Sequence, residues 1–523
     1  MRRLVCVLFV LLSSWISLLA MPSGDQRKQF ITGDLVAAKS AMAGLIAEPV
    51  DSLAKWISVY NDYPVPDTTG WAIMLTHKIN DTLTAPAWLY IPSKYDSHQP
   101  APLMVNLHGG VSGPKFRDAG AKNWLEEPEI QIAEREGWLY LYPLGMTGCA
   151  WWDSTGMQNI LWFVRDVKRQ FNIDDDYVGM SGFSDGGSGS FQFGMLAPTE
   201  FSSFYPWSGH PAVGTLVGGV SAYLPSLSAR PLFVTNGGRD QLYPAAAMER
   251  IHRLAFEAGS PFSTAYYDTA GHNWEYMTPE MEAWADRFEG HGRDAYPPTI
   301  RFETADLNFA TSDWITITDI DTTRIAAEWH KDYNLTQTDD RLTIGFNPDM
   351  EYKGKGVRVA SVARDLESPA ALIGMKEGDV ITEIDGLKII GMPDIVKAKE
   401  GRKRGDPIKI TYKRGRKTLK GESNYPPVRE YPIFPRTSKS GAIQAKRLGN
   451  TFEIETSRVS GLRLALCPRL TKFDQPVNVV INGVEVLNAI VTPSSETLLT
   501  GFINSHDRKR LTWANLDFTI PVQ

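Results

Sequence analysis

Cysteine is nearly absent from this sequence, which holds three in 523 residues. Cys6 lies in an apolar N-terminal stretch, and Cys149 and Cys467 are far apart along the chain. A small fold held by disulfides is therefore excluded, because such folds need closely spaced cysteines. The sequence also lacks the His, Cys or Asp spacings that hold zinc or calcium, so it predicts no metal and no cofactor.

The sequence also has little net charge and, beyond its first residues, no long hydrophobic run. Its formal net charge is −6 with 22% charged residues, which argues against a nucleic-acid partner. The one apolar run, Leu4–Ala20, follows Arg2 and Arg3 and predicts a secretory signal peptide at 1–20. An uncleaved membrane anchor is the alternative, but an anchor needs about 20 apolar residues. We expect a secreted or periplasmic bacterial protein with no membrane span after cleavage.

The residue pattern changes several times along the chain, and 523 residues exceed what one hydrophobic core usually supports. Residues 21–61 show helical spacing, whereas 62–296 alternate β-rich runs with helical stretches. This alternation predicts an α/β fold with a doubly wound, mostly parallel sheet. Short β runs fill 297–340 and 426–523 and predict one β-rich, sandwich-like domain, which a separate unit at 341–425 interrupts.

The stretch YVGMSGFSDGGSGSF, residues 177–191, carries the clearest chemical signal. Of its serines, Ser184 is the one with a glycine two residues to either side. The strand before it and the helix after it predict a sharp turn that lifts the hydroxyl out of a parallel sheet. We therefore predict Ser184 as a nucleophile, and the amide of Asp185 at the helix start as an oxyanion donor.

A serine nucleophile needs a base and an orienting acid, which follow in the order Ser, Asp, His in such a fold. Asp240 follows the β run PLFVTNGG, and His272 follows the run FSTAYYD. Loops at the carboxyl ends of parallel strands converge on one crevice. We predict that Asp240 orients His272, which acts as general base and then acid. Asp153, Asp268 and Asp286 remain alternatives for the acid.

The run LHGG ends a predicted strand and turns away from it at Gly109 and Gly110, whose amides are predicted to complete the oxyanion hole. Four tryptophans follow strands near the predicted crevice, where a flat ring can stack on a sugar or a phenol; packing in the core is the equal alternative. They are Trp151, Trp152, Trp207 and Trp274.

On these residues, the segment 62–296 resembles the α/β-hydrolase superfamily, in particular its exported esterases with a short LHGG run and a GFSxGG elbow. The stretch DVKRQFNIDDDYVGMSGFSDGG is similar to the helix, strand and elbow of feruloyl-esterase-like and polyhydroxybutyrate-depolymerase-like enzymes. The resemblance implies hydrolysis of carboxylic esters, including esters linked to polysaccharides, by a Ser-His-Asp triad.

Within the inserted unit, SPAALIGMKEGDVITEIDG resembles the PDZ domain attached to bacterial exported proteases. Such domains bind an extended C-terminal peptide by strand addition and hold its carboxylate in a glycine-bearing loop. The resemblance puts this loop at YKGKGV, and a packing role for that loop is the alternative. The ligand residues it implies are Gly354, Lys355, Gly356 and Val357.

A basic run accompanies the PDZ-like stretch. Residues 391–420 hold eleven lysines and arginines against three acidic residues. Such a run indicates a solvated face or, as the alternative, a surface for acidic partners or membranes.

The sequence as a whole predicts an exported serine hydrolase that cleaves carboxylic esters. A serine peptidase of the prolyl-oligopeptidase-like type is the alternative among enzymes, because the same triad cleaves amides and a PDZ domain indicates polypeptide handling. A catalytically silent binding protein that displays the PDZ and β modules is the alternative from another class. The presence of all three triad residues favours an enzyme.

Overall fold

The structure is a computed structural model that describes residues 24–117, 126–339, 342–349, 351–362 and 367–521. The predicted signal peptide at 1–20 lies outside these ranges. The chain forms two compact units, Met1–Tyr333 with Arg436–Gln523, and Asn334–Pro435. Within the described ranges, no helix is both long and apolar enough to cross a membrane.

Three helices open the larger unit: α1 Gly24–Thr32, α2 Leu35–Leu45 and α3 Val50–Ser58. Asp34 begins α2 as a cap, because its carboxylate accepts a hydrogen bond of 2.9 Å from the amide of Ala37. The helical spacing of residues 21–61 is thus divided among three helices, and the boundary between the first two lies at this cap.

Eight strands then form one sheet: β1 Trp71–Lys78, β2 Thr84–Ile91, β3 Ala101–Leu107, β4 Leu139–Pro143, β5 Ile173–Phe183, β6 Ser203–Trp207, β7 Phe233–Gly237 and β8 Ser263–Tyr267. Their order across the sheet is β1-β2-β4-β3-β5-β6-β7-β8. β1 pairs antiparallel with β2 and β2 with β4, whereas all pairs from β4 to β8 are parallel. The predicted mostly parallel sheet is confirmed.

Helices cover this sheet: α4 Pro128–Glu136, α5 Ser154–Gln170, α6 Asp185–Leu196, α7 Val213–Gly218, α8 Ala245–Glu257 and α9 Met277–Glu289. α5 buries Ile160, Val164 and Val167, which share one face at helical spacing. α9 buries Trp284 and Phe288 in an aromatic core against the sheet. These apolar faces explain why the helices lie on the sheet.

The β-rich part begins with β9 Thr299–Thr304, β10 Thr311–Ser312 and β11 Ile315–Ile320. The chain then enters the smaller unit, whose elements are β12 Thr336–Asp339, β13 Phe346–Pro348, β14 Val357–Val362, α10 Pro369–Leu372, β15 Val380–Ile384, β16 Leu387–Lys388, α11 Met392–Lys399, β17 Pro407–Arg414, β18 Lys417–Asn424 and β19 Arg429–Pro432. Its main sheet has the order β13-β14-β15-β17-β18, with β16 paired to β15.

The structure corrects the predicted peptide loop. Residues 352–357 connect β13 to β14, and β14 is paired with a strand on each side. The amide of Gly356 already donates to the carbonyl of Ile390 at 3.1 Å. Strand addition needs an open sheet edge, so the loop of Gly354, Lys355, Gly356 and Val357 does not lead into the strand that a peptide can join. Among the described strands of this sheet, the outer two are β13 and β18, and of these β13 is the one paired with β14.

After the smaller unit the chain returns to the β-rich part as β20 Gly441–Leu448, β21 Thr451–Ser457, β22 Val459–Leu466, β23 Val477–Ile481, β24 Val484–Ala489, α12 Ser495–Ser505 and β25 Ala514–Thr519. Two sheets result, β24-β23-β21-β20-β9 and β10-β11-β22-β25. β9 pairs with β20 and β11 with β22, so strands from before and after the insertion complete one another. The predicted interruption of a β-rich domain by a separate unit is confirmed.

The last helix packs far from the strands that precede it in sequence. Phe502 of α12 stacks on Phe30 of α1 with ring centroids 5.5 Å apart. The hydroxyl of Ser495 donates to the carbonyl of Glu48 at 2.7 Å. α12 thus forms one core with the N-terminal helices.

A buried ion pair fixes the loop after α12 to the parallel-sheet part. Arg293 and Asp507 contact each other at 2.7 Å, and both side chains are fully buried. The next residue, Arg508, donates its backbone amide to Asp175 at 2.9 Å. The C-terminal segment is therefore part of the core around the parallel sheet.

Candidate active site

Ser184 lies in the sharp turn between β5 and α6, with a backbone φ of +59°. Positive φ is unfavourable for a residue with a side chain and marks a strained turn. Glycine is needed beside it, because a Cβ at Gly186 would lie 1.7 Å from the carbonyl oxygen of Leu107. A Cβ at Gly182 would lie 2.5 Å from the backbone of Gly186. The two glycines therefore permit the close approach that exposes the serine.

The structure brings the three predicted triad residues together. Ser184 Oγ lies 2.9 Å from His272 Nε2, and His272 Nδ1 lies 2.8 Å from Asp240 Oδ2. An ionised carboxylate can only accept, so Nδ1 carries the proton and Nε2 is free to accept from the serine. The arrangement can remove the Ser184 proton and return it to a leaving group.

Asp240 is held as a carboxylate by several donors. Its side chain is buried, and Oδ1 accepts from the amides of Leu242 and Tyr243 at 2.9 and 2.8 Å. Burial alone would raise the pKa of Asp240, but the hydrogen bonds from His272 and these amides outweigh burial and lower it. Asp240 therefore keeps the negative charge that fixes the imidazole tautomer.

The glycine turn after β3 approaches Ser184 closely. A Cβ at Gly109 would lie 3.1 Å from the Cβ of Ser184, and Gly110 has a φ of +72°. His108 Nε2 accepts from the amide of Gly145 at 2.9 Å, so its Nδ1 carries the proton and donates to the carbonyl of Gly109 at 2.9 Å. Both nitrogens of His108 are thus engaged in shaping the turn.

The carboxylate of Asp185 has a role that the sequence did not reveal. Its Oδ2 accepts from the amide of Val111 at 2.9 Å. The amide of Val111 is therefore occupied, which leaves those of Gly109 and Gly110 beside Ser184. No local pattern in the sequence indicates this contact, because the two residues are 74 positions apart.

The other serines of the elbow stretch have backbone or amide partners. Ser181 is buried and accepts from the side-chain amide of Asn106 at 2.9 Å. Ser188 donates to the carbonyl of Ser184 and Ser190 to that of Gly186, each at 3.1 Å. Ser188 also accepts from the backbone amide of His210 at 3.1 Å. Ser184 is thus the serine of this stretch whose hydroxyl contacts an imidazole.

The structure corrects three of the four predicted tryptophan contacts. Trp151, Trp152 and Trp207 are buried. Trp151 donates its indole N–H to the carbonyl of His108 at 2.8 Å, below the glycine turn, and Trp207 joins the aromatic core on α9. Trp274 is 49% exposed and stacks on Phe183 with ring centroids 4.3 Å apart. Trp274 is therefore the predicted tryptophan with a face available at the site.

A cleft of about 360 Å³ opens beside Ser184 and His272. Its size is within the range of small-molecule sites. Aromatic and charged side chains share the lining: Tyr140, Tyr142, Phe183, Trp274, Arg117, Glu127 and Glu129. Burial raises the pKa of Tyr142 to about 12, so this phenol stays protonated at neutral pH. The cleft thus offers aromatic faces and hydrogen-bonding groups next to Ser184.

The sheet order and the position of Ser184 after β5 together define the fold. It is an α/β-hydrolase fold. Solved structures that align with part of the chain include a thermostable esterase, with 18% identity, a TM-score of 0.31 and coverage of 42% of this chain and 63% of that one. A ferulic acid esterase aligns with 15% identity and a TM-score of 0.34, over 42% of this chain and 100% of that one.

Residues 342–422 match the family model described as PDZ domain, so the smaller unit contains a PDZ domain. A bifunctional acetylxylan esterase/xylanase of Neocallimastix patriciarum is 30% identical over 129 residues, which are 24% of this chain and 18% of that protein. A protein named as a probable CtpA-like serine protease, of Staphylococcus haemolyticus, is 36% identical over 74 residues, 14% of each chain. The chain thus spans less than a fifth of either relative.

Proposed function

We propose that this chain is an exported serine hydrolase that cleaves carboxylic esters through an acyl-enzyme intermediate. The observation that carries the proposal is the unbroken line of contacts from Ser184 Oγ through His272 to Asp240, at 2.9 and 2.8 Å. The relative named as an acetylxylan esterase supports an ester as the substrate.

In the proposed reaction, His272 Nε2 takes the proton of Ser184 as Oγ attacks the ester carbonyl carbon. The oxyanion that forms is stabilised by the amides of Asp185 and of Gly109 or Gly110. His272 then gives the proton to the departing alcohol oxygen, which leaves an acyl group on Ser184. A water molecule, deprotonated by the same imidazole, attacks this acyl group and restores the serine.

We propose an ester linked to a polysaccharide as the natural substrate. The stacked rings of Phe183 and Trp274 at the cleft support this choice, because flat aromatic faces suit sugar rings and phenolic acyl groups. At the PDZ domain we propose that a C-terminal peptide binds by addition to the open edge of β13.

A peptidase is the second candidate, and the match to a PDZ domain together with the relative named as a CtpA-like serine protease favours it. Turnover of aryl acetates, methyl ferulate, acetylated xylo-oligosaccharides and peptide anilides by the purified protein separates the two. We expect turnover of the esters, no turnover of the anilides, and loss of activity in Ser184→Ala. Faster turnover of a peptide than of any ester would overturn the proposal.

A further inference from the structure

A second crevice, with a volume of about 580 Å³, lies in the larger unit near the carboxyl end of α6. Ser184 precedes the other end of this helix, and twelve residues at 1.5 Å each put the two ends about 18 Å apart. The walls come from α5, from the sheet β10-β11-β22-β25 and from α12. Among the described residues none lines both this crevice and the catalytic cleft.

Three cations meet one carboxylate at the floor of this crevice. The buried Glu200 lies 3.1 Å from Lys168 Nζ, 3.6 Å from Arg165 Nη2 and 3.9 Å from Arg510 Nη2. Burial would raise the pKa of Glu200, but these cations outweigh burial and lower it to about 2. Lys168 also contacts Asp175 at 3.1 Å, so its charge is shared between two carboxylates. Arg165 and Arg510 contact Glu200 and also line the crevice.

The side chains of both arginines reach the crevice. Arg165 is 40% exposed and Arg510 is 16% exposed. Their carboxylate contacts are longer than a hydrogen bond, at 3.6 Å from Arg165 and 3.9 Å from Arg510 to Glu200, and at 3.6 Å from Arg510 to Asp507. A ligand that supplies a closer acceptor to these guanidinium groups is therefore stabilised. Because a guanidinium matches the planar geometry of a carboxylate, the pair indicates a carboxylate ligand.

The rim of the crevice carries neutral polar side chains. Asn308, Asn504 and Asn515 line it together with Thr497 and Thr500. The side-chain amides of Asn504 and Asn515 are exposed, and no described residue is hydrogen-bonded to them. Amides and hydroxyls both donate and accept, which suits a ligand rich in hydroxyl groups.

The other carboxylates that line the crevice do not pair with Arg165 or Arg510. Asp313 forms a buried ion pair with Arg230, so its charge is already balanced. Glu496 lies exposed on the rim in the first turn of α12. An anionic ligand therefore meets the arginines at the floor without facing an unpaired buried carboxylate.

We propose that this crevice binds an acidic oligosaccharide, with a uronate carboxylate at Arg165 and Arg510 and sugar hydroxyls at Asn504 and Asn515. Its volume suits an oligosaccharide of a few rings, since ligand sites usually measure about 300–1,000 Å³. The site binds a carbohydrate chain at a place remote from Ser184. It goes beyond the proposed ester hydrolysis and does not rest on it, because binding here needs no catalysis.

Calorimetric titration of the full-length Ser184→Ala protein with tri-galacturonate tests the proposal, with neutral xylotriose as the comparison. We expect tri-galacturonate to bind with a Kd on the order of 10⁻⁴ M, at least about tenfold more tightly than xylotriose, and more weakly as salt is raised. Because the protein lacks the proposed nucleophile, the result is the same whether or not the chain hydrolyses esters.

Matched variants locate the binding. Arg165→Gln should weaken tri-galacturonate binding about tenfold or more, because it removes a charge-assisted contact. Arg253→Gln, the same change on an exposed position of α8, should leave the affinity unchanged. Asn504→Asp, at an exposed position that tolerates substitution, should weaken binding by adding a negative charge at the rim.

Three results would overturn the proposal. The first is no binding of tri-galacturonate up to about 5 mM, a concentration well above the expected Kd. The second is equal affinity for tri-galacturonate and xylotriose. The third is binding that Arg165→Gln and Asn504→Asp leave unchanged and that Trp274→Ala, in the catalytic cleft, abolishes.

Discussion

The carboxylate of Asp185 accepts a hydrogen bond of 2.9 Å from the backbone amide of Val111. Asp185 directly follows Ser184, the proposed nucleophile, and Val111 directly follows the glycine pair that approaches it. The contact therefore links the two backbone segments that supply the proposed oxyanion donors, and it fixes their separation before any substrate arrives.

Asp185→Ala is expected to lower kcat about 10- to 100-fold and to change KM by less than about threefold, because the lost contact supports donors used chiefly in the transition state. Asp185→Asn should retain most of the activity, since its side-chain oxygen still accepts from Val111. Steady-state kinetics on an aryl ester measure both values. Equal losses in the two variants, or an effect confined to KM, would contradict this role.

The buried pair of Arg293 and Asp507 predicts a large effect on stability. Asp507→Asn leaves the Arg293 guanidinium buried with less compensation, and should lower the free energy of unfolding by about 3–5 kcal/mol. Asp517→Asn is the control, because Asp517 and Arg463 form an exposed pair worth less than about 1 kcal/mol. Denaturant unfolding of both variants measures the difference. Similar decreases in the free energy of unfolding would contradict a large stabilising contribution from the buried pair.

His506 predicts a pH dependence of stability. Burial, together with the nearby cations Arg169, Lys168 and Arg165, lowers the pKa of His506 from 6.5 to about 4. Its neutral form is favoured in the folded state, so its contribution is complete above pH 6.5 and is lost as the pH falls toward 4. The expected loss is about 1.4 kcal/mol for each pH unit within this window.

The variant His506→Asn should reduce this acid-side loss, because asparagine does not titrate and tolerates the φ of +48° at this position. Part of the loss should remain, since burial also lowers the pKa of His210 to about 4. A curve for His506→Asn that matches the unaltered protein would rule out this assignment.

The ends of the smaller unit predict that it can be removed. Asp332, just before it, and Arg436, just after it, form an ion pair at 3.3 Å. Arg436 also contacts the buried Glu303 of β9 at 2.8 Å, and so does Ser440 at 2.6 Å. Replacement of residues 334–435 by a short Gly-Ser linker should leave a folded protein with nearly unchanged turnover of small aryl esters.

A longer excision gives the control. Replacement of residues 341–439 keeps β12 without its partner β19 and removes Arg436 from the buried Glu303. We expect a lower melting temperature than for the shorter excision, because a buried carboxylate then loses its cation. If the protein with the shorter excision were insoluble and the one with the longer excision stable, the contact of Arg436 with Glu303 would not be what stabilises the ends of the smaller unit.

The proximity of Ser184, Asp240 and His272 could be predicted because each lies at the carboxyl end of a strand that the sequence marks clearly. Parallel strands bring such ends to one edge of a sheet, whatever the loops between them do. The parallel sheet and the interrupted β domain followed from the same kind of pattern, and both predictions were confirmed.

The tryptophans show the limit of such reasoning. Placing Trp207 at the end of β6 does not fix the face of the sheet to which its ring points, and the ring packs against Trp284 at 5.2 Å. Trp151 lies below the glycine turn because a three-dimensional contact with His108 holds it there. A position at the end of a strand is therefore not enough to predict that a tryptophan contacts substrate. The residue types of a triad are better predictors, because each has one chemical role.

Long-range contacts were equally hidden. The packing of α12 on the N-terminal helices joins residues more than 400 positions apart, and no local pattern reports it. The resemblance to PDZ domains put the ligand loop at residues 352–357, but strand pairing decides which strands lie at the sheet edges, and these are β13 and β18. Such features depend on tertiary packing.

Covalent trapping tests the central claim most directly. The purified protein would be incubated with an aryl ester or an alkyl fluorophosphonate, acid-quenched, and analysed by intact-mass and peptide mass spectrometry, with Ser181→Ala and Ser184→Ala in parallel. We predict one adduct, on the peptide that contains Ser184. It should be present in Ser181→Ala and absent from Ser184→Ala, whose turnover should fall by a factor on the order of 10⁴ to 10⁶. An adduct on another residue, or undiminished turnover by Ser184→Ala, would contradict it.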